Sequence, residues 1–402
     1  MQSLNKKSEI KIVLIVMLLA IGSFLGVDIH LASMPYIMKY MHTSQHYIQL
    51  SVSIFLLGLG ASILVYGPLS DKYGRKPIML IGLIIAIFSS FGAAFTENIE
   101  AFLFMRLLQG IGSGVCTGIG RIIIADIAHG KKLAVLGSYV SLFQSISPVL
   151  APVIGSYIQK KLYWQANFIV LGGYFTLILF IYLFLCQETN LFKNPYATKI
   201  KNIFKQYKEL LLNPTFIGST ILSGCVMGSF ISFSTLSSFI LQIRFHVSPV
   251  NYGLIIGLLG VLSMFYKAIF SSILNAIGSK KTIQLGIACL FISGFWILII
   301  ETLGIMTIPL LITGVAINFF GGPLIVFNAL SYALSPFQKK MGAAGALYSS
   351  IQILIGFIAS TTVASLSFHS GALILGISYL ALAITCIVSY IYFISDFSPT
   401  KN

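Results

Sequence analysis

Long apolar runs separated by short polar punctuation recur along this chain from residue 11 to residue 393. A membrane-spanning helix needs roughly 20 such residues. Twelve stretches meet that length: 11–34, 47–69, 77–96, 99–122, 132–156, 165–186, 214–241, 250–274, 281–300, 304–334, 342–366 and 370–393. The pattern predicts an all-α integral membrane protein with twelve transmembrane helices. The tenth stretch is long, and FFGGP (Phe319 to Pro323) is expected to break it. The densest polar punctuation is GPLSDKYGRKP, Gly67 to Pro77, between the second and third stretches.

The loops orient these spans. With the N-terminus inside, nineteen basic residues fall in the termini and even-numbered loops. Arg121 is counted among them. Only four (Lys39, Lys160, Lys161 and Arg244) fall on the other side, and Arg106 and Lys267 remain inside spans, out of 25. Cytoplasmic loops carry the excess of Lys and Arg, so both termini are expected in the cytoplasm. The first run, after Lys6, Lys7 and Lys11, is longer than a signal-peptide core and is followed by similar spans, so it is expected to stay uncleaved.

Composition sharpens this reading. Of 402 residues, 57% are hydrophobic and 9% charged, against about 25% charged in soluble domains. Lipid is therefore the solvent for most of the chain. The formal charge of +15 would suit nucleic acid. The basic residues sit in short loops between apolar runs, however, so no nucleic-acid partner is expected. Five cysteines stand singly in apolar runs, with no metal or disulfide spacing. No clustered His/Cys ligands, phosphate loop or carboxylate pair within a span supports an enzyme, and no stretch has room for the soluble domain of a sensor.

The longest loop, Gln187 to Pro214, is rich in lysine and reads as a basic, partly helical cytoplasmic linker. It divides the chain into a six-helix half over 1–186, a linker over 187–213 and a second six-helix half over 214–402. GRKPIMLIG (from Gly74) and GSKKTIQLG (from Gly278) begin 204 residues apart, and Asn275 stands at the same offset from Asp71. Two copies of a six-span unit account for both features.

This organisation resembles the major facilitator superfamily. In GPLSDKYGRKP, Gly67, Leu69, Asp71, Gly74, Arg75 and Lys76 match that family's loop signature in order. FMRLLQGIGSGVCTGIGRIIIAD resembles the span-four signature of twelve-span drug/proton antiporters at Arg106, Gln109, Gly110 and Asp126. SPVLAPVIGSYI, containing Pro148, Pro152 and Gly155, resembles their span-five motif, with Ala151 and Ser156 where glycines are usual. SSFILQIRFHVSPVNYGLIIG is similar to the Bcr/CflA drug-resistance group. That group's span-one motif is altered here to DIHLASMP, with His30 for Tyr and Ala32 for Pro.

The resemblance implies a proton-coupled antiporter in the cytoplasmic (inner) membrane, exporting drug-like or amphiphilic small molecules by alternating access. It implies a monomer with no cofactor, driven by the proton gradient, whose partners are its substrate, protons and the bilayer. Export of one metabolite, such as a siderophore or an amino acid derivative, is the alternative left open.

Candidate chemistry follows from charges inside spans, which cost about 2.5–3.5 kcal/mol each on insertion scales. Asp28 and Arg106 lie at similar expected depth toward the outer ends of spans one and four and are expected to face a shared water-filled cavity. Asp28 is expected to carry the proton, its charge balanced between burial and the cation of Arg106. Gln109, one turn from Arg106, is assigned to the substrate cavity, with His30 and Lys267 as further candidates. The ordinary alternatives are packing for His30 and snorkelling for Lys267. The Ser-, Gly- and Phe-rich seventh span would supply adaptable apolar walls. Gly67, Asp71, Gly74, Arg75 and Asp126 are expected to form a cytoplasmic gate, with Asp71 capping a helix across the cleft and Arg75 pairing with Asp126. Pro148, Pro152 and Gly155 would pack closely between the halves. Glu301 is expected to be solvated in an outer loop.

Overall fold

The computed structural model describes residues 6–128, 130–366 and 371–395; both chain ends, including Lys401, lie outside the described residues. Fourteen α-helices run in order: α1 Lys6–Asp28, α2 Met34–Tyr40, α3 Gln45–Tyr73, α4 Arg75–Ala94, α5 Ile99–Ile127, α6 Gly130–Gln144, α7 Ser147–Lys161, α8 Gln165–Leu185, α9 Ile200–Leu211, α10 Pro214–Ser238, α11 Pro249–Thr302, α12 Ile308–Leu334, α13 Met341–Leu366 and α14 Gly371–Phe393. No strand occurs among the described residues.

Eleven helical segments are long and apolar enough to cross a membrane, and α11 alone is 54 residues long. At 1.5 Å per residue α11 would reach about 80 Å, against a hydrocarbon core of roughly 30 Å. Gly278, at φ 76°, divides it into two crossings. Twelve crossings result.

Prolines break two other spans. Pro35 sits in the first turn of α2. It has no N–H to offer Leu31, so the α1 helix stops at Asp28 and the chain turns through Leu31–Ser33 before α2 begins. Pro148, in the first turn of α7, likewise separates α6 from α7 at Ser145 and Ile146.

The structure corrects several boundaries. FFGGP does not break α12, which continues through Pro323. Gly321 instead brings α12 against the Gly286 carbonyl and Cys289 of α11. Gly67 lies within α3, and a methyl group added there would meet nothing within 4 Å, so it is no turn residue. The turn is made at Gly74 alone, with φ 110°. α5 extends to Ile127, which puts Arg121 on the helix rather than in a loop.

α3 packs on α5 among the first six spans and on α13 among the last six, while α7 packs on α11. The α7–α11 contact is a stripe of small residues. Side chains added at Gly253, Gly257 or Gly260 would meet Pro152, Val153, Val149 or Pro148 of α7. Without a hydrophobic drive between helices in lipid, such close backbone approach supplies the contact energy. Polar bonds supplement it at the end of the bundle opposite Gly74. Ser53 donates to Ser360 (2.8 Å), Gln49 Nε2 to the Thr235 carbonyl (3.3 Å) and Gln242 Nε2 to the Ala32 carbonyl (3.0 Å).

Gly278→Val is expected to destabilise the purified protein by about 1–2 kcal/mol, because only glycine adopts this positive φ without strain. SDS titration followed by far-ultraviolet circular dichroism measures it, and an unchanged midpoint would refute the strain argument.

Candidate functional site

Asp28 lies well inside the first span, Glu9–Tyr40, whereas Asp71, Glu100, Asp126 and Glu301 lie within the terminal turns of theirs. Asp28 is 4% exposed. None of the ion pairs formed among the described residues includes its carboxylate. It lines a narrow cavity with Pro148 of α7, Phe230, Phe233 and Ser234 of α10, Ile256 and Gly260 of α11 and Phe319 of α12. Three of these form an aromatic cage. Phe319 lies 5.2 Å from Phe230 and 6.2 Å from Phe233, centroid to centroid. The phenylalanines of the seventh span therefore do wall a cavity, and Asp28 from the first half closes its other side.

Arg106 does not share this cavity. It is fully buried among α1, α3, α4 and α5. Its Nη1 donates to the Gly26 carbonyl (2.9 Å) and Nε to the Ser51 carbonyl (3.2 Å). Nη1 also donates to Gln109 Oε1, and Gln109 Nε2 donates in turn to Ser90 (2.8 Å). The guanidinium lies over Phe55, 4.7 Å from its centroid. Gly26 is two residues before Asp28, so this cation holds the frayed end of α1 that presents the carboxylate. Gln109 is a buried partner of Arg106 and not part of the cavity wall. His30 packs on Phe168 (5.6 Å) and pairs with the Ser51 hydroxyl (3.3 Å), also away from the cavity. The structure thus joins Arg106, Gln109 and His30 into one cluster behind Asp28 without bringing them to it.

Three further contacts fix the turn after Asp28. Gly155 of α7 sits so close to the Ile29 carbonyl that any side chain there would overlap it. Asn167 Nδ2 donates to Ser33 Oγ (2.8 Å), and Gln242 holds the Ala32 carbonyl from the second half (3.0 Å). Pro148 therefore lines the cavity with Asp28, Gly155 packs on the following residue, Ile29, and Pro152 contributes its carbonyl to the contact with Gly253. Lys267 lies seven residues beyond Gly260 on α11, and its ammonium donates to Ser145 Oγ (2.7 Å) across the α6–α7 break. The stem does not run out to the membrane surface.

A second constellation closes around Gly74. Arg75 is 7% exposed at its side chain. Its Nη1 reaches Asp71 Oδ1 (2.5 Å) and Ser70 Oγ (2.8 Å), and its Nε reaches Asp126 Oδ2 (3.0 Å). The expected pairing with Asp126 forms, but Asp71 bonds Arg75 and does not cap a helix across the cleft. The cap is Glu188, which sequence reasoning missed. Its carboxylate accepts from the backbone N–H groups of Arg75 (2.8 Å) and Lys76 (3.1 Å), the first turn of α4, where a negative charge is favoured. Thr189 donates to Asp126 (3.0 Å) and Asn190 to the Ser70 and Asp71 carbonyls (3.1 Å each). Nothing local to α4 announces this cap, since it comes from the linker more than 100 residues further along the chain. At the opposite end Glu301 is no solvated loop residue, since Arg244 Nη1 donates to both its oxygens (2.8 and 2.9 Å).

Two sets of six crossings, closely packed along small-residue stripes around one unpaired carboxyl, define a multi-pass membrane carrier. The family model of the Major Facilitator Superfamily matches residues 16–360, and the chain belongs to that family. It is a transporter and not an enzyme. Among curated relatives it is 25% identical over 92% of each chain to a bicyclomycin resistance protein homolog of Haemophilus influenzae. It is 26% identical over 82% of each chain to the multidrug resistance protein MdtL of Shewanella oneidensis. Among solved structures it is similar in fold to a D-xylose-proton symporter (TM-score 0.76, 15% identity, 98% of each chain). The xylose transporter XylE from E. coli, in a partially occluded inward-open conformation, gives a TM-score of 0.74 at 14% identity over 98% of each chain.

Arg75→Ala should lower unfolding stability by about 2 kcal/mol, since it removes charge-assisted bonds and leaves Asp126 without its cation. Asp71→Ala should cost less, because Asp71 is half exposed. SDS-denaturation midpoints of the two variants check this ranking; equal losses would contradict it.

Proposed function

We propose that this transporter exports drug-like or amphiphilic small molecules across the cytoplasmic membrane in exchange for protons, with Asp28 carrying the proton. The observation that carries this reading is the isolation of Asp28, a buried carboxyl in no ion pair among the described residues, facing an aromatic cavity whose phenylalanines all come from the other half of the chain. An unpaired carboxylate in such surroundings is costly, so neutrality there requires a bound proton. Exposure to water on one side of the membrane would release it. The titratable groups packed nearby are His30 on the following turn, Arg106 behind α1 and Tyr252 of α11, whose hydroxyl pairs with Ser237 (2.9 Å). Arg106 acts by positioning, through the Gly26 carbonyl.

The apolar cage suits varied amphiphiles, because aromatic walls reward buried area more than a fixed pattern of polar contacts. The resistance proteins among the relatives support export of drug-like compounds. Alternating access follows if 1–186 and 214–402 rock as two bundles, joined by 187–213, along the α3–α13 and α7–α11 contacts. The polar seam from Gln49 to Gln242 then closes the outer side, and the Arg75 cluster, with Gly74, Asp71 and Asp126, is the cytoplasmic gate. Both termini lie in the cytoplasm, no cofactor is needed, and one chain forms the pathway.

The test is purified protein in liposomes with an imposed pH gradient and a fluorescent amphiphile. Wild type should move the dye against the proton gradient's direction. Asp28→Asn should abolish this gradient-driven movement while retaining dye binding, measured by anisotropy. Undiminished gradient-driven transport in Asp28→Asn would remove Asp28 from the mechanism.

A further inference from the structure

Besides Arg106, Arg121 on α5 and Lys267 on α11 lie more than one turn inside their spans. Arg106 donates to two backbone carbonyls, whereas these two meet hydroxyls. The ion pairs among the described residues include neither. Arg121 Nη1 donates to Ser349 Oγ of α13 (2.6 Å), and Lys267 donates to Ser145 Oγ (2.7 Å). Both partners are neutral hydroxyls. Two such charges in the membrane are expensive.

They converge on one place. Arg121 lines a second pocket with Ser23 of α1, Thr117 of α5 and Val140 and Gln144 of α6. Gln144 is followed by Ser145, the partner of Lys267, at the α6–α7 break. One turn further, Pro148 lines the Asp28 cavity. The α6–α7 break thus contributes Gln144 to the second pocket and Pro148 to the first. Thr117 is 6% exposed, and its hydroxyl lines the pocket without a hydrogen-bond partner. Arg121 is itself exposed, and among the described residues only its Nη1 is bonded, which leaves the forked face that takes a carboxylate through two parallel bonds.

We propose that this pocket recognises the acidic group of the substrate, so that the exported compounds include amphiphiles bearing a carboxylate. Arg121 takes the carboxylate, Thr117 donates to it, and Lys267 supplies the second positive charge across the break. The apolar body of the substrate extends toward Phe230, Phe233 and Phe319. Along α1, Ala20 of this pocket precedes Asp28 by eight residues, about 12 Å of helix. The acid and the proton therefore occupy separate stations, and they are linked through occupancy of the apolar cavity. This assignment names a substrate class for the export reading above and rests on it.

Binding and transport separate the two. Purified protein in phosphatidylcholine nanodiscs is titrated with fluorescein, a carboxylated dye, and with cationic rhodamine 6G. Wild type should bind both. Arg121→Gln and Lys267→Gln should each weaken fluorescein binding about tenfold or more, the loss of a charge-assisted contact, while rhodamine 6G binding stays. Arg121→Lys should retain part of the fluorescein affinity. Fluorescein binding that is absent in wild type, or that falls no further than rhodamine 6G binding in the variants, overturns the assignment. Adding phosphatidylglycerol to the disc must leave fluorescein affinity in place; its competitive loss would assign the pocket to a lipid headgroup and overturn the substrate role. In liposomes with a pH gradient, intact Arg121-dependent binding without gradient-driven transport would support the anion site while refuting the antiport reading.

Discussion

The break in the first span is the constraint on which the rest of this structure depends. Backbone that leaves the helix inside a membrane must be satisfied by protein, because lipid offers nothing. Pro35 forces such a break after Asp28. The exposed carbonyls are met from three sides: Arg106 takes Gly26, Gln242 takes Ala32, and Gly155 closes over Ile29. Arg106 suits this task because its fork reaches Gly26 on α1 and Ser51 on α3 together, while its charge is offset by carbonyl dipoles and the Phe55 face. Only with the turn so held can Asp28 stand apart from every cation.

Close approach elsewhere serves the same geometry. The α7–α11 stripe draws Pro148 and Gly260 together at the wall of the Asp28 cavity. A bulkier residue on either helix would separate the walls and widen that space. Small residues thus set the cavity's width, and the phenylalanines of α10 and α12 set its chemistry. The Gly74 constellation fixes the other end of the first six spans, tying α3, α4 and α5 to the start of the linker through Arg75 and Glu188. Gly278, its counterpart in the repeat, shares the positive φ but has Asn275 where Asp71 stands. The backbone turn repeats in the second half, and the ionic part of it does not.

The number of crossings was legible because lipid thickness imposes a length that any apolar run must meet. Helix ends were not. Once past the hydrocarbon layer, a helix continues or stops on local chemistry, so α3 runs on to Tyr73 and α5 to Ile127, beyond where hydropathy fades. FFGGP misled for a related reason: neighbouring helices can reseal a proline, and there the glycines serve contact with α11. At the site, Asp28 and the aromatic wall could be read from a charge in an apolar span and from the Phe content of the seventh. The separation of Arg106 from the cavity could not. Spacing gives the depth and face of a residue but not which carbonyl a long side chain reaches across helices. Glu188 was hidden likewise, because a cap supplied from a distant loop has no local pattern.

Charge inside this membrane protein is therefore handled in three distinct ways. Arg75 is neutralised by carboxylates and fixes a turn. Arg106 is solvated by carbonyls and an aromatic face, and fixes a break. Asp28, Arg121 and Lys267 form no ion pair among the described residues; Asp28 lines the first pocket, Arg121 the second, and Lys267 the α6–α7 break that contributes to both. A fold selected for stability alone would pair such groups or replace them with apolar residues, since buried pairs themselves gain little over well-packed hydrophobic side chains. Arg75 and Arg106, held by carboxylates and by carbonyls, keep this transporter's shape, whereas Asp28, Arg121 and Lys267 stand beside cavities or hydroxyls, free to meet a proton or a ligand.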